Sequence, residues 1–289
     1  MENYHDFIDT LTNAIAEAKK LPLAAARSRA QPALPEKTPR VAIFSPHPDD
    51  ECIIGALPLR LLRQNRVKIF NIAVTQGSRK DRQAPRFQEL RRACQYLGFE
   101  VVQTRPGGLE KIKPETRQQE SDYWRECVQV IVDIMQNLAP DIIFVPHKDD
   151  WNSTHIGTHY LIMDALGAMP DTFSCTVIET EYWQPMPDPN WMVECRPELL
   201  ADLITGLTFH EGEVARNPYH LALPAWMQDN VRRGSELVGG QGEAAPDFLF
   251  ATLYRVSRWR NGEMAPLPPS PGILAADDCC SIDCLNHDC

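Results

Sequence analysis

Short, nearly continuous apolar runs alternate along this chain with longer stretches whose apolar residues recur every three or four positions. Phe7, Leu11 and Ile15, with Ile8 and Ala14 beside them, keep helical spacing, so the first twenty residues predict an amphipathic helix. QPALPEKTPR, Gln31 to Arg40, reads as an extended linker. After it the pattern predicts a strand at 41–45, a helix from about Gly55 to Arg63, a strand at 67–75 and a helix at 85–97. A short strand at 100–103 follows, then a long helix over SDYWRECVQVIVDIMQNL, a strand at 141–146 and a helix opening near Thr154. Strands that are apolar on both faces and alternate with helices imply an α/β fold, a mainly parallel sheet with helices on both faces. Ligands then gather beyond the carboxyl ends of the strands. The expected divisions are 1–39 for the N-terminal helix and linker, 40–260 for the α/β domain, and 261–289 for a flexible Pro-rich and Cys-rich tail.

Composition narrows the picture. At 289 residues and 43% hydrophobic content the chain can bury a sizeable core. A net charge of −10 gives no general electrostatic reason to approach nucleic acid or anionic lipid, and it argues against a strongly anionic substrate. No apolar run approaches a membrane span, and the acidic N-terminus lacks the basic and apolar regions of a secretory signal, so a cytoplasmic location is expected. Oligomeric state is not readable. Of the nine cysteines, Cys52, Cys94, Cys127, Cys175 and Cys195 fall mostly in apolar segments and are expected to be reduced core thiols. Cys279, Cys280, Cys284 and Cys289, with His287, crowd the last residues at a spacing that matches no zinc-finger pattern.

The candidate chemistry lies where apolar strands run into charge. VAIFSPHPDDE ends the first strand with His47, Asp49, Asp50 and Glu51, and PHKDDWNSTH follows a later one. Alone, the first is an ordinary capping loop, and His155 and His159 are a polar pair one helical turn apart. Together they put two His/Asp clusters at the carboxyl ends of two strands of one sheet, where both face one pocket. Imidazole and carboxylate suit Zn²⁺, one per chain, or another divalent transition metal, with three protein ligands and one open position. His47, Asp50 and His155 can supply the three. Asp49, beside the ligand set but off the ion, is the candidate base for a metal-activated water that attacks an amide or ester carbonyl.

PHPDDE followed much later by DDWNSTHIGTH resembles the LmbE-like (PIG-L) family, which includes the N-acetylglucosaminyl-phosphatidylinositol de-N-acetylases. VTQG at 74–77, RFQEL at 86–90, YLGFE at 96–100, GLTFHEGE at 206–213 and APDFLF at 245–250 extend the resemblance from about Arg40 to Arg255. It implies a Rossmann-like fold and zinc-dependent removal of an acetyl group from a small amino-sugar derivative such as an N-acetylglucosaminide. It also implies His47, Asp50 and His155 as metal ligands, Asp49 as base, and Arg86 near the substrate; Glu51, at the end of the first motif, is assigned to substrate as well.

The chain departs from the family pattern Asp-x-His-x-Asp-His, reading Asp150-Trp151-Asn152-Ser153-Thr154-His155. Asn152 stands where the family has a histidine, and an amide donates hydrogen bonds but shuttles no proton. His210 is the expected replacement because it falls in a family segment; His147 and His159 are further candidates. HEGE carries Gly212 and Glu213 in place of Ser-Gln, and APDF has Asp247 in place of Glu, so the substrate end differs. ETEYWQPMPDPNW offers Glu181, Tyr182, Trp183 and Trp191 as a pocket wall. Two readings stand beside the de-N-acylase: a metal-retaining but catalytically silent sugar-binding protein, and an organic-cofactor enzyme, for which the Gly-x-Gly-x-x-Gly turn is missing.

Overall fold

The apolar runs form strands of one sheet. β1 (Arg40–Ser45), β2 (Lys68–Ala73), β3 (Glu100–Gln103), β4 (Ile142–Pro146) and β5 (Cys175–Thr180) lie in the order β3-β2-β1-β4-β5, each neighbouring pair parallel. The computed structural model describes residues 1–27, 35, 37–267 and 272–278, so the segment Cys279 to Cys289 and half of the expected linker lie outside the described residues. Beyond β5 the sheet turns antiparallel through β7 (Ala251–Arg260), whose other edge pairs with β6 (Trp191–Glu194) along its first half and with β8 (Glu263–Pro266) along its second. β9 (Ile273–Leu274) adds to β6 in parallel.

Period-2 geometry divides each parallel strand between two core layers: Val41 and Ile43 enter one, Ala42 and Phe44 reach the other. The first layer is roofed by α2 (Asp50–Ile53), α3 (Ala56–Asn65), α4 (Lys80–Leu97), α8 (Pro197–Leu207) and α10 (Leu223–Leu237). The second is roofed by α6 (Ser121–Leu138) and α7 (Ser153–Gly167), with the short α5 (Pro114–Gln119) beside them. On α6, Trp124, Cys127, Ile131, Val132 and Met135 are buried at helical spacing, which is why this helix is legible end to end. The parallel α/β expectation holds, and Cys52, Cys94, Cys127, Cys175 and Cys195 are buried free thiols. No helix among the described residues is long and apolar enough to cross a membrane.

One expectation holds with an unforeseen exposure, and two need correction. α1 (Tyr4–Ala18), capped by Asn3, is the expected amphipathic helix, yet none of its residues is buried and Phe7 remains 47% exposed. α4 begins five residues before the expected start and carries Pro85 inside it. Proline commonly opens a helix, which made 85 look like the start; the added turn places Arg82 beside the sheet's carboxyl edge. The chain after 260 is not all tail, because β8 and β9 continue the sheet. Buried Arg60 donates to the Leu274, Ala275, Ala276 and Asp278 carbonyls at 2.9–3.4 Å, fixing that return. Arg60→Met is expected to cost about 1–3 kcal/mol in a denaturant melt and to make the chain after β8 more sensitive to protease.

Candidate metal centre and active site

β1 and β4 are neighbours where the strand order reverses, the position at which open α/β sheets leave a crevice. PHPDDE turns from β1 into α2, and HKDDWN turns from β4 into α7, so both loops open on that crevice. The turn after β1 is tight: Asp49 adopts φ 114°, a costly conformation for a non-glycine residue, and its N–H donates to Glu51 Oε2 at 2.9 Å. His47 N–H donates to Asp50 Oδ2 at 2.8 Å.

Three donor atoms converge. His47 Nδ1 lies 3.2 Å from His155 Nε2, His155 Nε2 lies 3.2 Å from Asp50 Oδ2, and His47 Nδ1 lies 3.5 Å from Asp50 Oδ2. A tetrahedral ion with bonds of 2.0–2.1 Å spaces its ligands about 3.3–3.4 Å apart, so this triangle has the size such an ion requires. Asp50 Oδ1 is also buried without a hydrogen-bond partner. Behind the triangle, Asp150 Oδ2 stands 3.4 Å from His155 Nδ1 and orients the ring, while the Asn152 and Trp183 N–H groups hold that carboxylate at 2.8 and 3.3 Å.

The charges demand a cation. Burial alone would push Asp50 up, but His155 and His47 outweigh it and hold the carboxyl well below the usual range. Burial alone would lower His155, yet Asp50 and Asp150 overcome it and push the imidazole up to about 10. A proton on His155 and a divalent ion therefore meet the same electrostatic need and compete for it. Asp49 behaves oppositely: burial first, then the neighbouring Asp50 charge, push its carboxyl up to about 7.

Asp49 is gripped from outside the loop. Tyr219 Oη donates to Asp49 Oδ2 at 2.6 Å, Arg86 Nη2 lies 3.7 Å from the same oxygen, and Arg86 also donates to the Pro48 carbonyl at 2.8 Å. Burial and Asp49 raise the Tyr219 phenol strongly, so it stays a donor.

The other expected residues are placed as follows. Asn152 caps α7, its Oδ1 accepting from Thr154 N–H at 2.9 Å, and it lines a cavity of about 390 Å³ with His47, Thr75, Ser78 and Lys113. Glu51 does not face open space: it is 1% exposed, His210 Nε2 lies 2.6 Å from its Oε1, and its Oε2 takes the Asp49 N–H. His210 is fully buried against that carboxylate, which lifts its pKa above the ordinary value in spite of burial. Glu51 and His210, expected at substrate contact and proton donation, form a buried pair with each other that braces the Asp49 backbone. His147 contacts the Gln184 carbonyl at 2.9 Å and His159 the Pro146 carbonyl at 2.9 Å, which occupies both in the frame. Of the expected aromatic wall, Tyr182 packs edge-on against His155, Trp183 packs edge-on against Tyr219, and Trp191 is core. Glu181 is spent on Arg233 at 2.7 Å. Tyr219 carried no local signal in the sequence, being 170 residues from its partner.

Residues 42–166 match the sequence profile of the GlcNAc-PI de-N-acetylase family, PIG-L, and contain both ligand loops. This segment is similar to a PIG-L domain. No curated protein matches the chain in sequence. Among solved structures, the N,N'-diacetylchitobiose deacetylase from Pyrococcus horikoshii superposes with a TM-score of 0.56 at 13% identity, covering 89% of this chain and 93% of that one. A deacetylase of teicoplanin biosynthesis gives 0.52 at 13% identity over 76% and 98% of the two chains. The 4-carboxy-2-hydroxymuconate hydratase from Pseudomonas putida gives 0.53 at 13% identity over 76% and 96%. At such identities the likeness is one of fold. The matched segment holds the whole donor triangle, whereas Tyr219 and Trp183 come from chain beyond it.

The raised Asp49 carboxyl makes a pH prediction for metal-free protein. Its native pKa of about 7 exceeds the ordinary carboxyl value of 3.8, so its contribution to stability is complete below pH 4 and is lost as pH rises to about 7. The stability of Asp49→Asn relative to wild type is therefore expected to rise across that window and level off above it, measured by urea melts at a series of pH values.

Proposed function

We propose that this protein is a metal-dependent hydrolase that removes an N-acyl group, acetyl first among them, from a small amino-sugar derivative. The observation that carries the reading is the triangle of His47, Asp50 and His155 donor atoms at 3.2–3.5 Å, with Asp49 beside it and clamped by Tyr219. The nitrogen and oxygen donors suit zinc, although neighbouring transition metals share the preference. When bound, the ion supplies Lewis acidity, acidifying a water and polarising the acyl carbonyl.

The chain's own groups do the rest. Asp49 accepts the proton of the attacking water as the new C–O bond forms. Tyr219 and Arg86 hold the receiving carboxyl in place, and the Glu51–His210 pair fixes the backbone that carries it. Asn152, its Oδ1 engaged as a cap, offers its amide hydrogens to the acyl oxygen, where negative charge grows. Asp49 then returns the proton to the nitrogen as the C–N bond breaks, giving a free amine and a carboxylate. The adjoining cavity of about 390 Å³ falls in the size range of small-ligand sites.

The silent-binder reading keeps one observation in its favour, Asn152 in a position where the family has a proton-transferring histidine. Metal analysis combined with hydrolysis of N-acetylglucosaminides separates the two. Asp49→Asn is expected to keep its metal and lose about 10²- to 10⁴-fold in kcat; His155→Ala is expected to lose the metal. Wild-type turnover by Asp49→Asn would overturn the mechanism, and sugar binding by metal-loaded wild type without turnover would establish the binder.

A further inference from the structure

Beside Arg86 lies a second cavity of about 170 Å³ lined by Gln76, Ser78, Arg79, Arg82, Arg86 and Arg216, with Glu213. Its lining is a set of donors round one carboxylate. Arg82 Nη2 lies 3.3 Å from Glu213 Oε1, Arg86 Nε lies 3.8 Å from the same atom, and Arg216 pairs with Glu213 Oε2. Arg79 is paired with Asp81 at the surface. Three guanidinium groups thus face Glu213, and with Arg86 also 3.7 Å from Asp49 one positive charge remains over the two carboxylates.

Neutralising Glu213 does not explain the rest. Gln76 is 3% exposed and its Nε2 has no hydrogen-bond partner; the buried Arg86 Nε also has none. Unmatched buried donors are costly, and what they lack is an acceptor. The local backbone makes room for the cluster. A Cβ at Gly77, whose φ is +82°, would meet Arg86 Nη1 at 2.6 Å, and one at Gly212 would overlap Arg82 Nη2. Gly212 and Glu213 are the residues that replace the family's Ser-Gln, so the cluster belongs to this chain's own departure from the pattern.

We infer that this cavity seats an oxyanion, a phosphate or carboxylate carried by the substrate, next to the amide being cleaved. Oxyanions are acceptor-only and match a lining of guanidinium and amide donors. Ser78 lines both this cavity and the larger one beside His47, so the two adjoin there, and Arg86 links the anion seat to Asp49. The chain's net charge of −10 does not oppose this, because the local field at the seat is positive.

The inference rests on the hydrolase reading, and its test separates the two. Metal-loaded, full-length protein is assayed with N-acetylglucosamine, its 6-phosphate and N-acetylmuramic acid: a neutral, a phosphorylated and a carboxylated amide. Inorganic phosphate binding is followed by calorimetry. One charged amide is expected to be preferred over the neutral one by about 10- to 100-fold in kcat/KM, chiefly through KM. Arg82→Gln and, separately, Arg216→Gln are expected to shrink that preference and weaken phosphate binding. Arg216 is 72% exposed, so its replacement tests the seat without threatening the fold. Equal turnover of all three amides would overturn the anion seat and leave the hydrolase standing. Phosphate binding unchanged in both variants would place the ion elsewhere and also overturn it. No turnover of any amide, with phosphate binding lost in both variants, would keep the seat and remove the hydrolase reading.

Discussion

Two adjacent carboxylates, Asp49 and Asp50, are buried together at the end of the central strand, and the surrounding structure is arranged around the impossibility of treating them alike. Like charges this close cannot both ionise in a low-dielectric site without nearby cations. Asp50 is given His47 and His155, and its charge is secured; Asp49 is given burial and the neighbouring Asp50 charge, and its proton affinity rises although the Tyr219 phenol opposes the rise. Neighbours in sequence are thereby divided into a secured charge and a carboxyl of raised proton affinity. The same logic separates acid and base roles wherever paired titratable groups share a site.

That division requires Asp49 to be held without being drawn onto the ion. The positive φ at Asp49 turns its side chain out of line with Asp50, and the Glu51 carboxylate fixes the strained peptide through the Asp49 N–H. Glu51 is buried in turn, so it needs a partner, and His210 provides one at 2.6 Å. Through Glu51, His210 supports the turn that carries Asp49.

The substrate side is built separately. The PIG-L match ends at residue 166, after both ligand loops, while Trp183, Glu213, Arg216 and Tyr219 come from later chain. Similar folds include deacetylases and a hydratase, which agrees with the general rule that a fold positions chemistry without choosing it. Net charge is a coarse guide to a site for a related reason. It sums over the whole surface, whereas a ligand responds to the few groups within a Debye length.

By itself the sequence determined the parallel layers and the donor set, because both are local. The β3 strand and α6 were legible to the residue from their apolar pattern, and His47, Asp49 and Asp50 fall within one turn. Where local signals conflicted with packing, the reading failed: Pro85 hid the first turn of α4, and Pro-rich composition hid β8 and β9. Only tertiary structure decided that Tyr219 clamps Asp49, that His210 serves Glu51, and that α4 and α9 (Glu211–Arg216) bring their arginines round Glu213. These partners stand up to 170 residues apart, and they meet only once the helices have packed on the sheet, an outcome set by burial over the whole core.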